Sequence, residues 1–234
     1  LGHCGIAEIM CNAGFDWLVI DMEHTSITSS DMFQMIQIIS LSNITPLVRV
    51  GSNDSLLIKK AMDCGANGVI VPMVNTKQDA IDAVNAVYYP PFGQRGVGLF
   101  RAQSYGIGFA EYLDTYEEKT CVIVQIEHHL GVENIDDILD VPGVDGFLVG
   151  PYDLSASLGV PGELDHRKVK KYLSILESKI TDDGVVGGEH VVHSDIEKLQ
   201  SKIDKGYKFI AYGDDMLFLA EKLNVTTEQL AKFK

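Results

Sequence analysis

Glu127 comes straight after the apolar run VIVQI, and Asp153 follows GFLV through Gly150-Pro151-Tyr152. Two carboxylates set at strand ends can share one hard cation and leave its other positions to water and a chelating substrate. Two solvated loop carboxylates are the plain alternative. Arg49 stands inside PLVRV, where a guanidinium must be paired or serve an anion, and its planar fork suits a carboxylate or an enolate oxygen. A structural salt bridge to Asp21 or Glu23 would also account for it. The stretch GFDWLVIDMEH ends an apolar run in Asp21, Glu23 and His24. Taken alone, His24 is an ordinary hydrogen-bonded histidine; beside a cation and an arginine it reads as a general base. Extended geometry would put Asp21 and Glu23 on one face and His24 on the other, so the chain must turn after Asp21 for all three to serve one site.

Other chemistries are argued against by what is missing. An imine mechanism needs a desolvated lysine in the site, yet the only strand lysine, Lys208, falls at the amino end of the last strand. Gly96-Val97-Gly98 has Arg101 where a dinucleotide fingerprint needs its third glycine, and it follows a proline-rich loop instead of a strand. Neither His190-Val191-Val192-His193 nor His128-His129 has the helical spacing or the partner glutamate of a zinc site. Gly-x-Ser-x-Gly does not occur.

The elements that must position these groups are short Val/Ile-rich runs alternating with segments of helical period. The expected strands are Trp17–Ile20, Pro46–Val50, Gly68–Val71, Cys121–Ile126, Gly146–Val149, Gly184–Val186 and Lys208–Ala211. Expected helices are Ser30–Ser40, Ser55–Met62, Lys77–Val87, Val132–Leu139, Lys168–Ile180, Asp195–Lys205 and Met216–Leu223. Continuous apolar strands with strict strand–helix alternation imply a parallel sheet covered on both faces. The charged candidates all fall at carboxyl ends of strands, which converge on one mouth in a barrel. A (β/α)8 TIM barrel is therefore expected over 1–234 as one domain, with an open doubly wound sheet as the alternative. The chain opens on Leu1 in a segment that reads as a helix already under way (Ile6, Ile9, Met10, Ala13), so the first of eight strands is expected to be missing.

Composition narrows the partners. The formal charge of −14 repels phosphate backbones and anionic membranes, which argues against nucleic acid and membrane binding. No run of about 18 apolar residues and no signal-like start is present, so a cytoplasmic protein is expected. Cys4, Cys11, Cys64 and Cys121 form no C-x-x-C pair and read as reduced thiols, Cys121 in a strand.

Six motifs in order, GFDWLVIDMEH, PLVRV, AMDCGANGVIVPMVNT, YYPPFGQRGVGLFRAQSYG, VQIEHHLGVENID and GFLVGPYDLSASLG, make nearly the whole chain resemble the HpcH/HpaI family of metal-dependent, pyruvate-utilising class II aldolases. The resemblance implies a TIM barrel of the phosphoenolpyruvate/pyruvate type whose first strand would precede Gly5. It implies reversible aldol cleavage of a 4-hydroxy-2-oxo acid to pyruvate and an aldehyde. By matching position, Glu127 and Asp153 would bind a divalent cation, Mg2+ or Mn2+ before Co2+ or Zn2+. His24 would be the base, Arg49 would stabilise the enolate, and Asp63 of AMDCGA would hold the His24 tautomer. Gln125 and the main chain around Gly150 and Pro151 would hold the carboxylate of pyruvate, Asp21 would orient its neighbours, and Glu23 would stand beside the cation's water. Arg95 and Arg101 are expected near the mouth. The resemblance also implies a homo-oligomer, trimer or hexamer, built through the segment Met216–Phe233. Glu189 stands at an expected strand end where the family carries an apolar residue and is a candidate for tuning the aldehyde; His128-His129 is either a supporting pair or plain loop. A citryl- or malyl-type CoA-ester lyase and a non-catalytic oxo-acid-binding barrel are the alternatives. The first should bring a larger lid and a basic adenine-phosphate site, and the second should lack the base.

Overall fold

The computed structural model of the chain describes residues 1–233. In chain order its first half runs α1 (Cys4–Cys11), β1 (Trp17–Asp21), α2 (Ser29–Leu41), β2 (Thr45–Arg49), α3 (Ser55–Cys64), β3 (Gly68–Val71), α4 (Lys77–Val87), a 3-10 turn (Arg101–Gly106) and α5 (Phe109–Lys119). The second half runs β4 (Cys121–Ile126), α6 (His129–Glu133), α7 (Ile135–Leu139), β5 (Gly146–Val149), α8 (Pro151–Ser157), α9 (Arg167–Thr181), β6 (Gly187–Val191), α10 (Ile196–Asp204), β7 (Phe209–Tyr212) and α11 (Asp215–Ala231). The seven strands pair in sequence order, all parallel, with helices packed outside: a TIM-type barrel rather than a doubly wound sheet, whose strand order would reverse. Eight strands were expected; the described residues form seven, and none of them pairs with the outer edge of β1 or of β7.

Local sequence explains why these segments take these forms. Thr28 opens α2 by accepting from the Asp31 N–H while Asp31 accepts from the Thr28 N–H, and the Met32, Met35, Ile36 and Ile39 side chains then fall on one buried face. The same reciprocal cap joins Thr76 and Asp79 at α4. Strands β3 and β5 are buried along their whole length, because one face meets helices and the other meets the barrel interior.

Strand alternation separates two cores. Outward residues such as Val48, Val69, Val124 and Phe147 join Ile36, Ile58 and Ile138 of the helices in a large outer core. Leu47, Ile70, Ile123, Leu148 and Phe209, packed with Trp17 and Val19, form a smaller inner one. The Trp17 and Phe209 rings stack at 4.4 Å, bringing the amino ends of β1 and β7 together. A cavity of about 750 Å³ opens between the two strands and runs from their amino ends, at Asp16 and Lys208, to the carboxyl ends of the sheet.

Three expectations need correction. The sixth strand is Gly187–Val191, not Gly184–Val186. Gly184 lies in the left-handed turn after α9 (φ 70°), and pairing with β7 carries the strand onward through Glu189 and His190. The expected helix Val132–Leu139 is two short helices broken at Asn134. Finally, α5 and α8 were not foreseen, and α11 runs well past Leu223.

Candidate active site

The inner positions continue upward from the apolar layer. On β1 the sequence of inner residues is Trp17, Val19, Asp21; on β2 it is Leu47, Arg49; on β4 it is Ile123, Gln125 and then Glu127 just past the strand. A period of two therefore lifts polar groups out of an apolar floor at the carboxyl ends of adjacent strands. Asp21, His24, Arg49, Gln125, Gly150, Pro151 and Asp153 all line the cavity there. Glu127 is buried behind them, only 2% exposed.

Asp21 and Arg49 are neighbours in the β1–β2 register and form a two-point fork, with Nε donating to Oδ1 at 2.9 Å and Nη2 to Oδ2 at 2.8 Å. The chain turns directly after Asp21, as required, and its Oδ1 also accepts the main-chain N–H of Glu23 at 3.0 Å. Burial pushes the Asp21 carboxyl upward, but the Arg49 fork and charge outweigh it and hold the group below the usual aspartate range. The Arg49 Nη1 group makes no hydrogen bond and approaches Glu23 Oε2 at 3.4 Å. His24 is well exposed, with Nε2 3.6 Å from the same Glu23 oxygen.

Glu127 is held by two donors: Met73 N–H to Oε1 at 2.8 Å, and the Gln125 amide to Oε2. Met73 has a left-handed backbone (φ 55°), an uncommon conformation for a side-chain-bearing residue, and it donates the N–H that Glu127 accepts. Burial raises both Glu127 and Glu23 above their ordinary values, and the charge of Asp153 adds to the effect on Glu127. Asp21, Glu23 and Glu127 thus face one guanidinium, with Asp153 beyond Glu127. Glu23 Oε2 and Gln125 Oε1 are buried without a hydrogen-bond partner. This donor set, oxygen-rich and short of positive charge, fits a hard divalent cation. No cluster of three or more His, Cys, Asp or Glu placed to hold a metal occurs among the described residues, so the rest of a cation's shell would fall to water and substrate.

Gly150 lets the β5 end approach this corner. A Cβ there would lie 2.6 Å from Glu127 Cβ and 2.7 Å from its Oε2. Gly150→Ala is therefore expected to displace the Glu127 carboxylate, costing roughly 1–3 kcal/mol of stability and lowering activity with it. Chemical denaturation and turnover measured side by side check this; unchanged values for both would show that the close approach is unimportant.

Several expected neighbours lie elsewhere. Asp63 does not meet His24: its Oδ1 takes the Arg95 Nη2 at 2.5 Å, because Arg95 is driven under the Tyr89 ring (4.7 Å) and bonds the Tyr112 hydroxyl. Arg95 is thus a core residue, and Arg101 donates to the Cys64 carbonyl at 3.1 Å; neither lines the cavity. Glu189 faces the helix layer and pairs with Lys202 of α10, so it is turned away from the mouth. His128 caps α6 by accepting from Leu130 N–H, and its ring packs on His129 at 4.3 Å outside the cavity lining. One lining residue escaped sequence reasoning. His190 was weighed only as half of a zinc pair, yet it stands on the inner face of β6. Alternation counted from Gly188 would have placed it, had the strand's bounds been known.

Comparison with known proteins agrees with this architecture. The family model described as HpcH/HpaI aldolase/citrate lyase matches residues 3–221. The hydroxypyruvate/pyruvate aldolase of Roseobacter denitrificans is 38% identical over 229 residues, covering 97% of this chain and 88% of that one. The 2-keto-3-deoxy-L-rhamnonate aldolase of Shigella dysenteriae is 36% identical over 98% of this chain and 84% of its own. A crystal structure of an HpcH/HpaI aldolase/citrate lyase family protein from Burkholderia cenocepacia superposes with a TM-score of 0.91 at 33% identity, covering 99% of this chain and 91% of that one. With the family model spanning nearly the whole barrel and relatives well above 30% identity over its full length, the chain belongs to the HpcH/HpaI aldolase/citrate lyase family.

Proposed function

We propose that this carbon–carbon lyase cleaves a 4-hydroxy-2-oxo acid to pyruvate and an aldehyde, and runs the reverse condensation, with Glu127 and Asp153 as the cation-binding carboxylates. The observation that carries the reading is the gathering of Asp21, His24, Arg49, Gln125 and Asp153 around one cavity, over a Glu127 that is buried, doubly anchored and in excess of local positive charge.

When bound, the divalent cation supplies fixed positive charge for the carboxylate and 2-oxo oxygens of the oxo acid, Mg2+ and Mn2+ suiting an all-oxygen donor set. The protein's own groups do the rest. Gln125 and the first-turn main-chain N–H groups of α8, at Tyr152 and Asp153, orient the pyruvate carboxylate, since the Gly150 N–H is already given to the Ile126 carbonyl and Pro151 has none. Arg49 is held in plane by Asp21 and keeps the Nη1 hydrogens free for the oxygen on which enolate charge develops, an interaction that strengthens as the bond breaks. His24, with Glu23 beside it, takes the 4-hydroxyl proton as the C3–C4 pair moves into the enolate, and a proton then returned to C3 gives pyruvate.

His24→Ala is expected to lower kcat by roughly 10²-fold or more while leaving cation affinity nearly unchanged. Pyruvate release and deuterium exchange at pyruvate C3, each with and without EDTA, form the test; if both survive the substitution, the base is another group.

The proposal extends to the protein's setting. Helix α11 buries none of its residues and exposes Met216, Leu219, Leu223 and Leu230 along one side, an apolar face suited to docking on a second copy in a trimer or hexamer. A cytoplasmic location fits four unpaired cysteines, and no helix among the described residues is long and apolar enough to cross a membrane.

A further inference from the structure

His190 is the polar side chain that β6 turns into the cavity. Along β6 the outward Gly187 meets Ile180 of α9 and Glu189 meets Lys202 of α10, so Gly188 and His190 point inward. On β7 the corresponding inward residues are Phe209 and Ala211, the latter paired with His190. Gly188, Phe209 and Ala211 bring no hydrogen-bonding side chain, so His190 is the polar one of these four inward residues, with Tyr212 and Asp214 lining the cavity beside them. Its height is that of the reacting corner: Glu189 pairs with Val149, and so His190 stands level with Gly150.

The ring is anchored in a defined orientation. Nε2 lies 3.0 Å from the Gly213 carbonyl oxygen. A carbonyl only accepts, so Nε2 carries the hydrogen and Nδ1 of the neutral ring is the acceptor. Gly213 is itself fixed, with a left-handed φ of 62° and the Phe218 ring 2.3 Å from where a Cβ would stand. Nδ1 has no hydrogen-bond partner among the described residues and is not among the closed-off buried atoms. Asp214, which follows Gly213 at the carboxyl end of β7, lines the same part of the cavity, and its charge disfavours a second carboxylate on the ligand.

We propose that His190 is a specificity-determining residue that accepts a hydrogen bond from a hydroxyl on the aldehyde half of the substrate, selecting hydroxylated aldehydes over apolar ones of equal length and over semialdehydes ending in a carboxylate. This rests on the aldolase reading of the site, in which β4 and β5 hold the pyruvate half and the aldehyde half extends across the cavity past β6.

The test pairs lactaldehyde with propanal, which share a three-carbon chain, and adds succinic semialdehyde, each condensed with pyruvate by the full chain in the presence of Mg2+ or Mn2+. The wild-type protein favours lactaldehyde over both. His190→Leu is expected to lower kcat/KM for lactaldehyde roughly 10- to 100-fold and for propanal less than about 3-fold, since a polar site discriminates chiefly through the hydrogen bond left unmade. His190→Gln can donate to the Gly213 carbonyl and present an acceptor, and should recover part of the preference. Pyruvate C3 deuterium exchange without aldehyde should be the same in all three proteins. A lactaldehyde-to-propanal ratio untouched by His190→Leu overturns the proposal, as does a parallel loss of deuterium exchange, which would mark a merely structural role. Failure of the wild-type protein to exchange pyruvate deuterium at all would instead overturn the aldolase reading, and this inference with it.

Discussion

Glu127→Gln is expected to reduce turnover by roughly 10³-fold or more, the largest loss of any single substitution in the site, because it removes the one buried charge of the cation corner. The substitution is nearly isosteric: Met73 N–H can still donate to the amide oxygen that replaces Oε1, and Gln125, whose Oε1 has no partner, can turn its amide to accept from the new NH2 group. Folding should therefore survive. An ionised Glu127 is desolvated and faces the charge of Asp153, so replacing it by a neutral group should leave Tm unchanged or raise it slightly. Titration calorimetry with Mn2+ and steady-state pyruvate release separate the two effects. Loss of turnover with undiminished cation affinity would move the cation away from Glu127, and wild-type turnover would remove it from the mechanism altogether.

Arg49→Ala should be the second most damaging change, and it should act on both activity and stability. The guanidinium is the positive group that Asp21, Glu23 and Glu127 face, and without it Asp21 and Glu23 are left half-buried and uncompensated. A cost of about 2–4 kcal/mol is expected from a partly buried charge deprived of its partner, together with a fall in kcat of roughly 10²- to 10³-fold from the lost enolate donor. Arg49→Lys keeps the charge without the fork and should restore more stability than turnover. The pH dependence carries a definite sign. Arg49 depresses the folded-state pKa of Asp21, so its stabilisation is fully present above the ordinary aspartate value and is lost as pH falls through the depressed one. Acid unfolding of Arg49→Ala should accordingly lack that component, being less steep at low pH than in the wild type. Identical acid limbs would show that the fork contributes nothing to stability.

How much of this was legible beforehand can be judged from particular elements. Six of seven strands were recognisable because each is an apolar run, mostly buried in β2 to β5 and half-buried in the edge strands β1 and β7, and such burial leaves a mark in composition. The exception, β6, reads GGEHV. Its two glycines are there because Ile180 and Phe209 crowd the positions where Cβ atoms would stand, and its Glu189 is neutralised by a lysine from α10. A strand whose neighbours supply the packing carries no apolar signature of its own. Helix α5 was missed for a related reason: it buries Tyr116 alone, so it shows little apolar periodicity.

The site divides along the same line. Residue types and their placement after apolar runs determined that carboxylates, an arginine and a histidine would meet at one end of a parallel barrel, since period two and strand ends are local properties. Which charges pair is not local. Arg49 reaches Asp21 across 28 residues and Arg95 reaches Asp63 across 32, and in each case the choice was made by which strands or aromatic rings stand alongside in the folded chain. Asp63 was thereby taken from His24, Glu189 was turned toward the helices, and His190 was brought into the cavity. One-residue shifts of register exchange the two faces of a strand, so inside and outside for Glu189 and His190 were decided only when β6 found its partners.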